Sequence, residues 1–396
     1  MAGGPDEYQD ISLYKLENGN NLHPYFWKPP LHTWTIAIFY KIFGMSEFTS
    51  RLPSFIFAIL SLVLIFKISK YLFPKSIYAP YISTIIFSSS SDFSFLSSQG
   101  IAEMQLLFFS LSTIYFTLKK QYILAGLLFG LGLLTKSFAL FWLIPVLIYI
   151  ALIINKSKLS SLLRLFLVSF LIAFPWHLLM YLKFKDIFIQ NYFWANLLGR
   201  GSGQAGNIAP IYWYLKYILT YHTFLLLTTP VVLVYAFKNF NNKVFLFLFW
   251  IATVFIPFSL MSSKVWWYIF PIFTPLSIII AQSLEKIITQ KRNLFMATLL
   301  IFILICQQTS KQTLTRTNFN QSIKNLAQNN PQVTSLSVYK MPYEAPLFYF
   351  DVGKIYVNFE TATDYLLINK DYIDEIDKSN WHQIDSSLGV YLLQHL

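Results

Sequence analysis

The chain has 396 residues, of which 55% are hydrophobic and only 12% are charged. Soluble globular domains carry about 25% charged residues, so this composition excludes both an ordinary soluble protein and a disordered one. The formal net charge is +12, from 30 Lys and Arg against 18 Asp and Glu. Because long apolar runs separate the basic residues, we interpret this excess as the loop and headgroup charge of a membrane protein rather than as a nucleic-acid site.

Ten apolar segments are candidates for membrane-crossing helices, and several of them are short or interrupted by proline. They lie near 53–73, 76–92, 101–118, 122–135, 138–154, 162–183, 217–237, 244–262, 266–285 and 294–309. The loops at one set of their ends hold 13 Lys or Arg residues, and the loops at the other set hold 6. By the positive-inside rule the first set is cytoplasmic. Residues 1–52, the 184–215 loop and the chain after 309 are therefore predicted to face outward.

The polar region 1–52 is predicted to lie outside although no apolar segment precedes it in the sequence. We therefore expect a first transmembrane helix upstream of this region. Within it, Leu31–Phe43 is too short to span a bilayer and mixes aromatic residues with His32 and Lys41. This pattern predicts a helix in the membrane interface or, as an equal alternative, a re-entrant packed helix.

The sequence changes character after Ser310. Asn318 to Asn329 is predicted to be a helix, SLSVYK and YLLIN strands, YEAPLFYF a helix and GVYLLQHL a final strand. The expected fold class is thus an all-α polytopic membrane protein with a small outward-facing C-terminal α/β domain. We expect an outer loop region at 1–52 with interfacial helices, a transmembrane domain at 53–309 and the α/β domain at 310–396.

Ionisable residues near the outer ends of the spans are the most informative about function, because a charge at membrane depth is costly unless it is paired or hydrated. They are the acids Asp6, Glu7 and Glu103 and the cations Lys28, Lys136, Arg200 and Lys264. Cations stabilise a phosphate leaving group, and a carboxylate takes a proton from an acceptor. Each residue alone also fits a snorkelling side chain, a helix-terminus charge or a solvated turn. Together they indicate a membrane enzyme or a transporter of an anionic lipid.

Several motifs resemble those of the ArnT-like and protein O-mannosyltransferase-like glycosyltransferases of the GT-C class. The run from Asp6 to Ser54 resembles the family pattern of D-E, a helix, a G-[DN]-hydrophobic turn, which reads G-N-N-L here, Y-F-x-K-P-P-L-x-x-W, F-G and R-L-P-S. Further downstream, GLLFGLGLLTKS, FPWHLLMYL and SLMSSKVWWYIFPIFTPLSIIIA match other motifs of the family. The resemblance covers nearly all of residues 5–285.

This resemblance implies the GT-C fold and an inverting transfer of sugar from a polyprenyl-phosphate carrier to an acceptor hydroxyl. The implied partners are a polyprenyl-phosphate-linked sugar donor, the lipid bilayer and a lipid, glycan or protein acceptor, with a glycolipid or glycan favoured. It also implies a multi-pass protein of the inner or plasma membrane with an extracytoplasmic active site. No cofactor and no nucleic-acid partner is expected.

The resemblance also implies roles for individual residues. Asp6 matches the catalytic base, with Glu7 beside it, and Glu103 stands where the family has an aspartate at the start of a transmembrane helix. The residues expected to bind the carrier phosphate are Tyr25, Lys28, Lys136, Arg200, Lys264 and Tyr268. Arg51 matches the R-L-P-S arginine, for which a structural role is at least as well supported as a catalytic one.

The chain departs from the family at positions that can hold a metal. Trp27 stands in place of the glutamate before K-P-P, and Ala195 and Asn196 stand in place of the E-H pair of the long outer loop. We therefore predict no catalytic metal at that site. Three alternative functions stay open: a protein O-mannosyltransferase, a non-catalytic protein that binds the lipid carrier, and a flippase. Against a flippase, the sequence shows no repeats with paired broken helices.

Overall fold

The computed structural model describes residues 28–202, 208–290, 318–339, 349–350, 355–356 and 364–395. The chain divides into two compact units. One unit lies within residues 25–310, and the other contains the described residues beyond 311. Asp6, Glu7, Tyr25 and the predicted span at 294–309 lie outside the described residues.

The first unit is helical throughout its described part. Its α-helices are α1 (Leu31–Phe43), α2 (Glu47–Leu72), α3 (Ala79–Ser88), α4 (Ser91–Ser97), α5 (Glu103–Leu118), α6 (Tyr122–Lys136), α7 (Leu143–Tyr149), α8 (Leu159–Phe188), α9 (Trp213–Tyr221), α10 (Thr223–Lys238), α11 (Asn242–Leu260) and α12 (Phe273–Gln290). Shorter helical stretches are Ser137–Leu140, Ile150–Ile154, Ile189–Gly199, Arg200–Ser202 and Trp266–Ile272.

Five helical segments of the described chain are long and apolar enough to cross a membrane. They are Glu47–Leu72, Tyr122–Leu140, Leu159–Trp194, Asn242–Leu260 and Trp266–Lys286. Ala79–Ser88 and Leu143–Ile154 are shorter apolar helices. Every predicted span between 53 and 285 overlaps described helical residues. The predicted helix at Leu31–Phe43 is also confirmed, whereas its place in the membrane interface stays a prediction.

The helices α6 and α8 pack closely because α6 presents glycines at its interface. A Cβ atom at Gly130 would lie 2.7 Å from Cβ of Ile172, and one at Gly126 would overlap the carbonyl oxygen of Leu165. Small residues spaced four apart allow helix backbones in membranes to approach each other in this way. This contact fixes the helix that ends at Lys136.

The end of α12 is tied to the start of α3 by one carboxylate. Glu285 Oε1 accepts the backbone N–H groups of Ile77 and Tyr78 at 2.8 and 3.2 Å, and its Oε2 accepts that of Ala79 at 3.0 Å. These are N–H groups that a helix N-terminus cannot satisfy within the helix. The negative charge is also favoured there by the helix dipole. Glu285 therefore joins two helices that are distant in sequence.

The second unit combines helix α13 (Asn318–Asn329) with a sheet. The described strands are β1 (Leu336–Tyr339), β2 (Ile355–Tyr356), β3 (Tyr365–Asn369), β4 (Trp381–Ser387) and β5 (Val390–His395), in the spatial order β2-β1-β3-β5-β4. Parallel pairing joins β1 to β2 and β3, while β5 is antiparallel to β3 and β4. Ile323 and Leu326 of α13 share one apolar core with Leu336, Val338 and Leu392.

The predicted helix at 318–329 and the strands within SLSVYK, YLLIN and GVYLLQHL are confirmed. The sequence analysis missed β2 and β4. The predicted helix at 343–350 lies mostly outside the described residues.

We expect Glu285→Gln to lower the thermal stability of the protein in detergent. The variant loses the charge that three backbone N–H groups share, and hydrogen bonds to charged groups are worth about 1.5–3 kcal/mol. Thermal unfolding of purified protein checks this. Asp186→Asn is the matched control, because it neutralises an exposed carboxylate of α8. Equal melting temperatures for the two variants would show that the contacts of Glu285 with the start of α3 do not stabilise the protein.

Candidate active site

The centre of the candidate site is a buried ion pair. Lys136 Nζ donates to Glu103 Oε1 at 2.7 Å, and the side chains of Lys136 and Glu103 are 18% and 9% exposed. The ammonium also lies 5.3 Å from the ring centroid of Tyr268. A cation is attracted to the face of an aromatic ring at this distance. Three of the predicted site residues are thus brought together.

The helical hairpin α5–α6 explains why these two charges meet. Glu103 is the first residue of α5 and Lys136 is the last residue of α6. A tight turn after Leu118, with Lys120 at a positive φ of 61°, reverses the chain between the helices. An acid at a helix N-terminus and a base at a helix C-terminus each complement the helix dipole. The two charged ends of the hairpin therefore lie side by side.

The K-P-P segment reaches this pair through His32. Its Nδ1 lies 2.9 Å from Gln105 Oε1 on α5, and its Nε2 lies 3.3 Å from the Gly100 carbonyl oxygen. Burial lowers the pKa of His32, the carboxylate of Glu103 opposes this effect and the cation of Lys28 adds to it. Lys28 and Glu103 are thus both within electrostatic reach of the same imidazole. The exposed Lys28 lies at the edge of the site rather than in its core.

Lys264 lies in the segment between α11 and α12. Its side chain is almost fully covered, with 2% of the residue exposed. The ammonium donates to the Ser259 carbonyl oxygen at 2.9 Å and to that of Met261, and it lies 5.8 Å from the ring centroid of Tyr214. Burial lowers the pKa of Lys264. Tyr268 follows four residues after Lys264. This segment therefore contributes both Tyr268, which contacts Lys136, and a second cation, Lys264.

The other predicted residues stay untested in their roles. Asp6 and Glu7, which are predicted to be catalytic, and Tyr25, which is predicted to bind the carrier, lie outside the described residues. Arg200 begins a helical turn, Arg200–Ser202, and its side chain is not among those described.

Arg51 has a local partner, because its Nη2 lies 3.4 Å from Glu47 Oε2 one helical turn earlier. This contact supports a structural role for Arg51. Among the described residues, no three His, Cys, Asp or Glu side chains form a metal-sized group. The metal prediction depends on residues 27, 195 and 196, whose side chains lie outside the described part of the chain.

The sequence analysis missed a polar network behind Lys136. The next residue, Ser137, accepts a hydrogen bond from the Tyr192 hydroxyl at 2.6 Å, and His177 Nε2 lies 2.8 Å from the same hydroxyl. His177 Nδ1 donates to the Ala173 carbonyl oxygen at 2.8 Å. The histidine within FPWH is a signal that could have found this network, because buried polar side chains in membrane helices need partners.

We expect removal of one member of the central pair to destabilise the protein more than removal of both. Lys136→Met leaves an unpaired buried carboxylate, a change that typically costs about 3–5 kcal/mol. The double variant Glu103→Gln, Lys136→Met should regain most of that loss. Thermal unfolding of the single and double variants measures the coupling.

The partly exposed pair of Arg51 and Glu47 provides the control for this comparison. Arg51→Gln should change the stability by less than about 0.5 kcal/mol, as surface pairs one turn apart do. Additive effects of Glu103→Gln and Lys136→Met would contradict the pairing.

Comparison with known sequences identifies relatives of the chain. A family model described as dolichyl-phosphate-mannose-protein mannosyltransferase matches residues 27–180. An undecaprenyl phosphate-alpha-4-amino-4-deoxy-L-arabinose arabinosyl transferase of Wigglesworthia glossinidia brevipalpis is 32% identical over 76% of this chain and 60% of its own length. A protein with the same description, numbered 2, from Pseudomonas fluorescens strain Pf0-1 is 28% identical over 71% of this chain and 55% of its own. The chain thus spans little more than half the length of these relatives.

Solved structures show the same relationship at the level of the fold. The crystal structure of ArnT from Cupriavidus metallidurans bound to undecaprenyl phosphate matches 100% of this chain and 94% of that chain, with a TM-score of 0.74 and 15% identity. The apo state of that protein matches with a TM-score of 0.70 and 13% identity. The multi-pass helical fold with a small C-terminal sheet is therefore confirmed. In sequence and in fold, the chain is an ArnT-like protein of the GT-C class.

Proposed function

We propose that the protein is a membrane glycosyltransferase that uses a polyprenyl-phosphate-linked sugar as its donor. One observation carries the proposal: residues of three motifs that are distant in sequence lie near the ion pair of Glu103 and Lys136. The T-K-S motif contributes Lys136 itself, the charge of Lys28 from the K-P-P motif acts on the carboxylate of Glu103, and Tyr268, four residues after the lysine of the S-S-K motif, lies 5.3 Å from the Lys136 ammonium. The names of the relatives, which are arabinosyl transferases acting with undecaprenyl phosphate, support the same reaction class.

The proposed reaction is a single displacement at the anomeric carbon. The acceptor oxygen forms a bond to that carbon while the bond from the carbon to the phosphate oxygen breaks, and the polyprenyl phosphate leaves with the electron pair. Asp6 takes the proton of the acceptor hydroxyl. The leaving phosphate gains one negative charge, which Lys28, Lys264 and Arg200 stabilise by position and charge. One displacement inverts the anomeric centre.

Glu103 has a distinct role in this proposal. Its carboxylate holds the ammonium of Lys136 in a fixed position beside Tyr268. A fixed cation needs no reorganisation as negative charge develops, and such preorganisation is a main source of catalysis. Glu103 would therefore act with Lys136 at the carrier side of the site rather than as the base for the acceptor.

The finer assignments belong to the same proposal. The excess of Lys and Arg in one set of loops supports an outward-facing site in the inner or plasma membrane. A glycolipid or glycan is the favoured acceptor. Because the matching family model is described as a protein mannosyltransferase, a protein hydroxyl is the second candidate. The regions 1–52, 53–309 and 310–396 are proposed as catalytic loop, transmembrane domain and outer α/β domain.

We expect that deletion of the gene removes one sugar modification from the cell envelope. Mass spectrometry of envelope glycolipids and glycoproteins from cells with and without the protein identifies the product and thereby the acceptor class. The wild-type protein should restore the modification, and Asp6→Asn should fail to restore it because the acceptor hydroxyl keeps its proton.

Two outcomes of this experiment would contradict parts of the proposed function. Full restoration by Asp6→Asn would contradict the assignment of Asp6 as the base. Identical envelopes with and without the protein, together with binding of the carrier, would contradict the enzyme proposal and favour a carrier-binding role. Asp186→Asn serves as the neutral control.

We expect the affinity for polyprenyl phosphate to fall at alkaline pH. Burial lowers the pKa of Lys264, so its ammonium loses its proton below the ordinary lysine value of about 10.4. As the pH rises through the lowered pKa, one cation that attracts the phosphate disappears. Titration of undecaprenyl phosphate at several pH values measures this change. In Lys264→Arg the loss should move to higher pH, and an unchanged pH profile would contradict the assignment of Lys264.

A further inference from the structure

A buried acid that the proposed mechanism does not use lies at the start of α4. Asp92 ends the SSSSD tract, and it is 1% exposed. The Tyr217 hydroxyl donates to Asp92 Oδ1 at 2.6 Å, and His222 Nε2 lies 3.2 Å from Asp92 Oδ2. Ser90 accepts the backbone N–H of Phe93 at 3.2 Å and thereby caps α4. The carboxylate thus connects α4 to α9 and to the junction between α9 and α10.

The helix that Asp92 holds lies directly against the Lys264 segment. Tyr217 stacks on Trp266 with 6.1 Å between ring centroids and an interplanar angle of 21°. One turn earlier on α9, the Tyr214 hydroxyl donates to the Val265 carbonyl oxygen at 3.0 Å, and the Tyr214 ring lies 5.8 Å from Lys264 Nζ. Two residues one turn apart on the same face of α9 therefore contact residues 264–266.

The start of α4 braces the same segment from a second direction. Phe95 of α4 contacts Trp266 edge to face, with 5.5 Å between the ring centroids. His222 contacts Phe273, the first residue of α12, with ring centroids 4.5 Å apart. The segment between Lys264 and Phe273 is thus contacted by Tyr217 and His222, which both meet Asp92, and by Phe95, which lies on the same helix as Asp92.

Burying the carboxylate of Asp92 costs more free energy than burying an apolar side chain at the same position. An ionisable group buried in a membrane protein is costly unless it is paired, whereas an apolar side chain would pack there without that cost. What the carboxylate adds is direction, because Oδ1 accepts the hydrogen bond of the Tyr217 hydroxyl while Oδ2 lies against the His222 ring. This fixes the rotation of α9 and with it the position of Tyr214 beside Lys264.

We propose that Asp92 is a positioning residue that acts through Tyr217 and α9 to hold Lys264 in place for the phosphate of the lipid carrier. The inference rests on the proposed function, because it takes the polyprenyl phosphate as the ligand of Lys264. Asp92 itself does not touch the ligand. Its loss should therefore weaken carrier binding only as long as Lys264 is present.

A double-mutant cycle with undecaprenyl phosphate tests this inference. Dissociation constants are measured with the purified full chain in lipid nanodiscs by intrinsic tryptophan fluorescence. Asp92→Ala and Tyr217→Phe should each weaken binding about tenfold, and in a Lys264→Gln background each should change it by less than about twofold. Tyr217→Phe keeps the ring that stacks on Trp266, so it tests the hydroxyl alone if Asp92→Ala does not fold.

Glu285→Gln is the matched control, because Glu285 also joins distant helices but lies about 18 Å along α12 from Phe273. It should lower the melting temperature and leave the carrier affinity unchanged. If folded Tyr217→Phe binds the carrier as tightly as wild type, or if the effects stay additive with Lys264→Gln, the inference is overturned and the proposed function is not. If the wild-type protein does not bind undecaprenyl phosphate, the proposed function fails as well.

Discussion

The buried ion pair of Glu103 and Lys136 constrains how the helices of the first unit pack. A lone charge at membrane depth is costly, so Glu103 and Lys136 each require the other. Since Glu103 begins α5 and Lys136 ends α6, the pair requires these two helix ends to lie together. The close packing of α6 on α8 at Gly126 and Gly130 then fixes where the pair stands. The position of the candidate site follows from this hairpin.

A polar network that the motifs alone do not show lies near each lysine of the candidate site. The networks are His32 with Gln105 beside Lys28, Ser137 with Tyr192 and His177 beside Lys136, and Asp92 with Tyr217 beside Lys264. Lysine side chains are flexible, and holding one in a fixed position requires contacts along its surroundings. The arrangement suits a site that stabilises charge by position, as the transfer of sugar from a phosphate carrier demands.

Much of the helical fold could be predicted from the sequence because a helix that crosses a bilayer must be long and apolar. The helix at Leu31–Phe43 and the strand YLLIN were predicted with their observed bounds. The strand β4, WHQIDSS, was missed because it is a polar edge strand with little buried surface. Asp92 is not among the predicted site residues, because its partners Tyr217 and His222 lie 125 and 130 residues away in the sequence. The catalytic acids of the first loop stay predictions because they lie outside the described residues.

In the proposed function, the phosphate of a lipid carrier binds beside Lys28, Lys136 and Lys264. A structure of the protein in lipid nanodiscs with undecaprenyl phosphate would show where that phosphate binds. We expect density for the phosphate in contact with Lys264 or Lys28, with the ion pair of Glu103 and Lys136 intact beside it. A phosphate bound elsewhere, while these lysines keep only the contacts described above, would show that they do not form the carrier site.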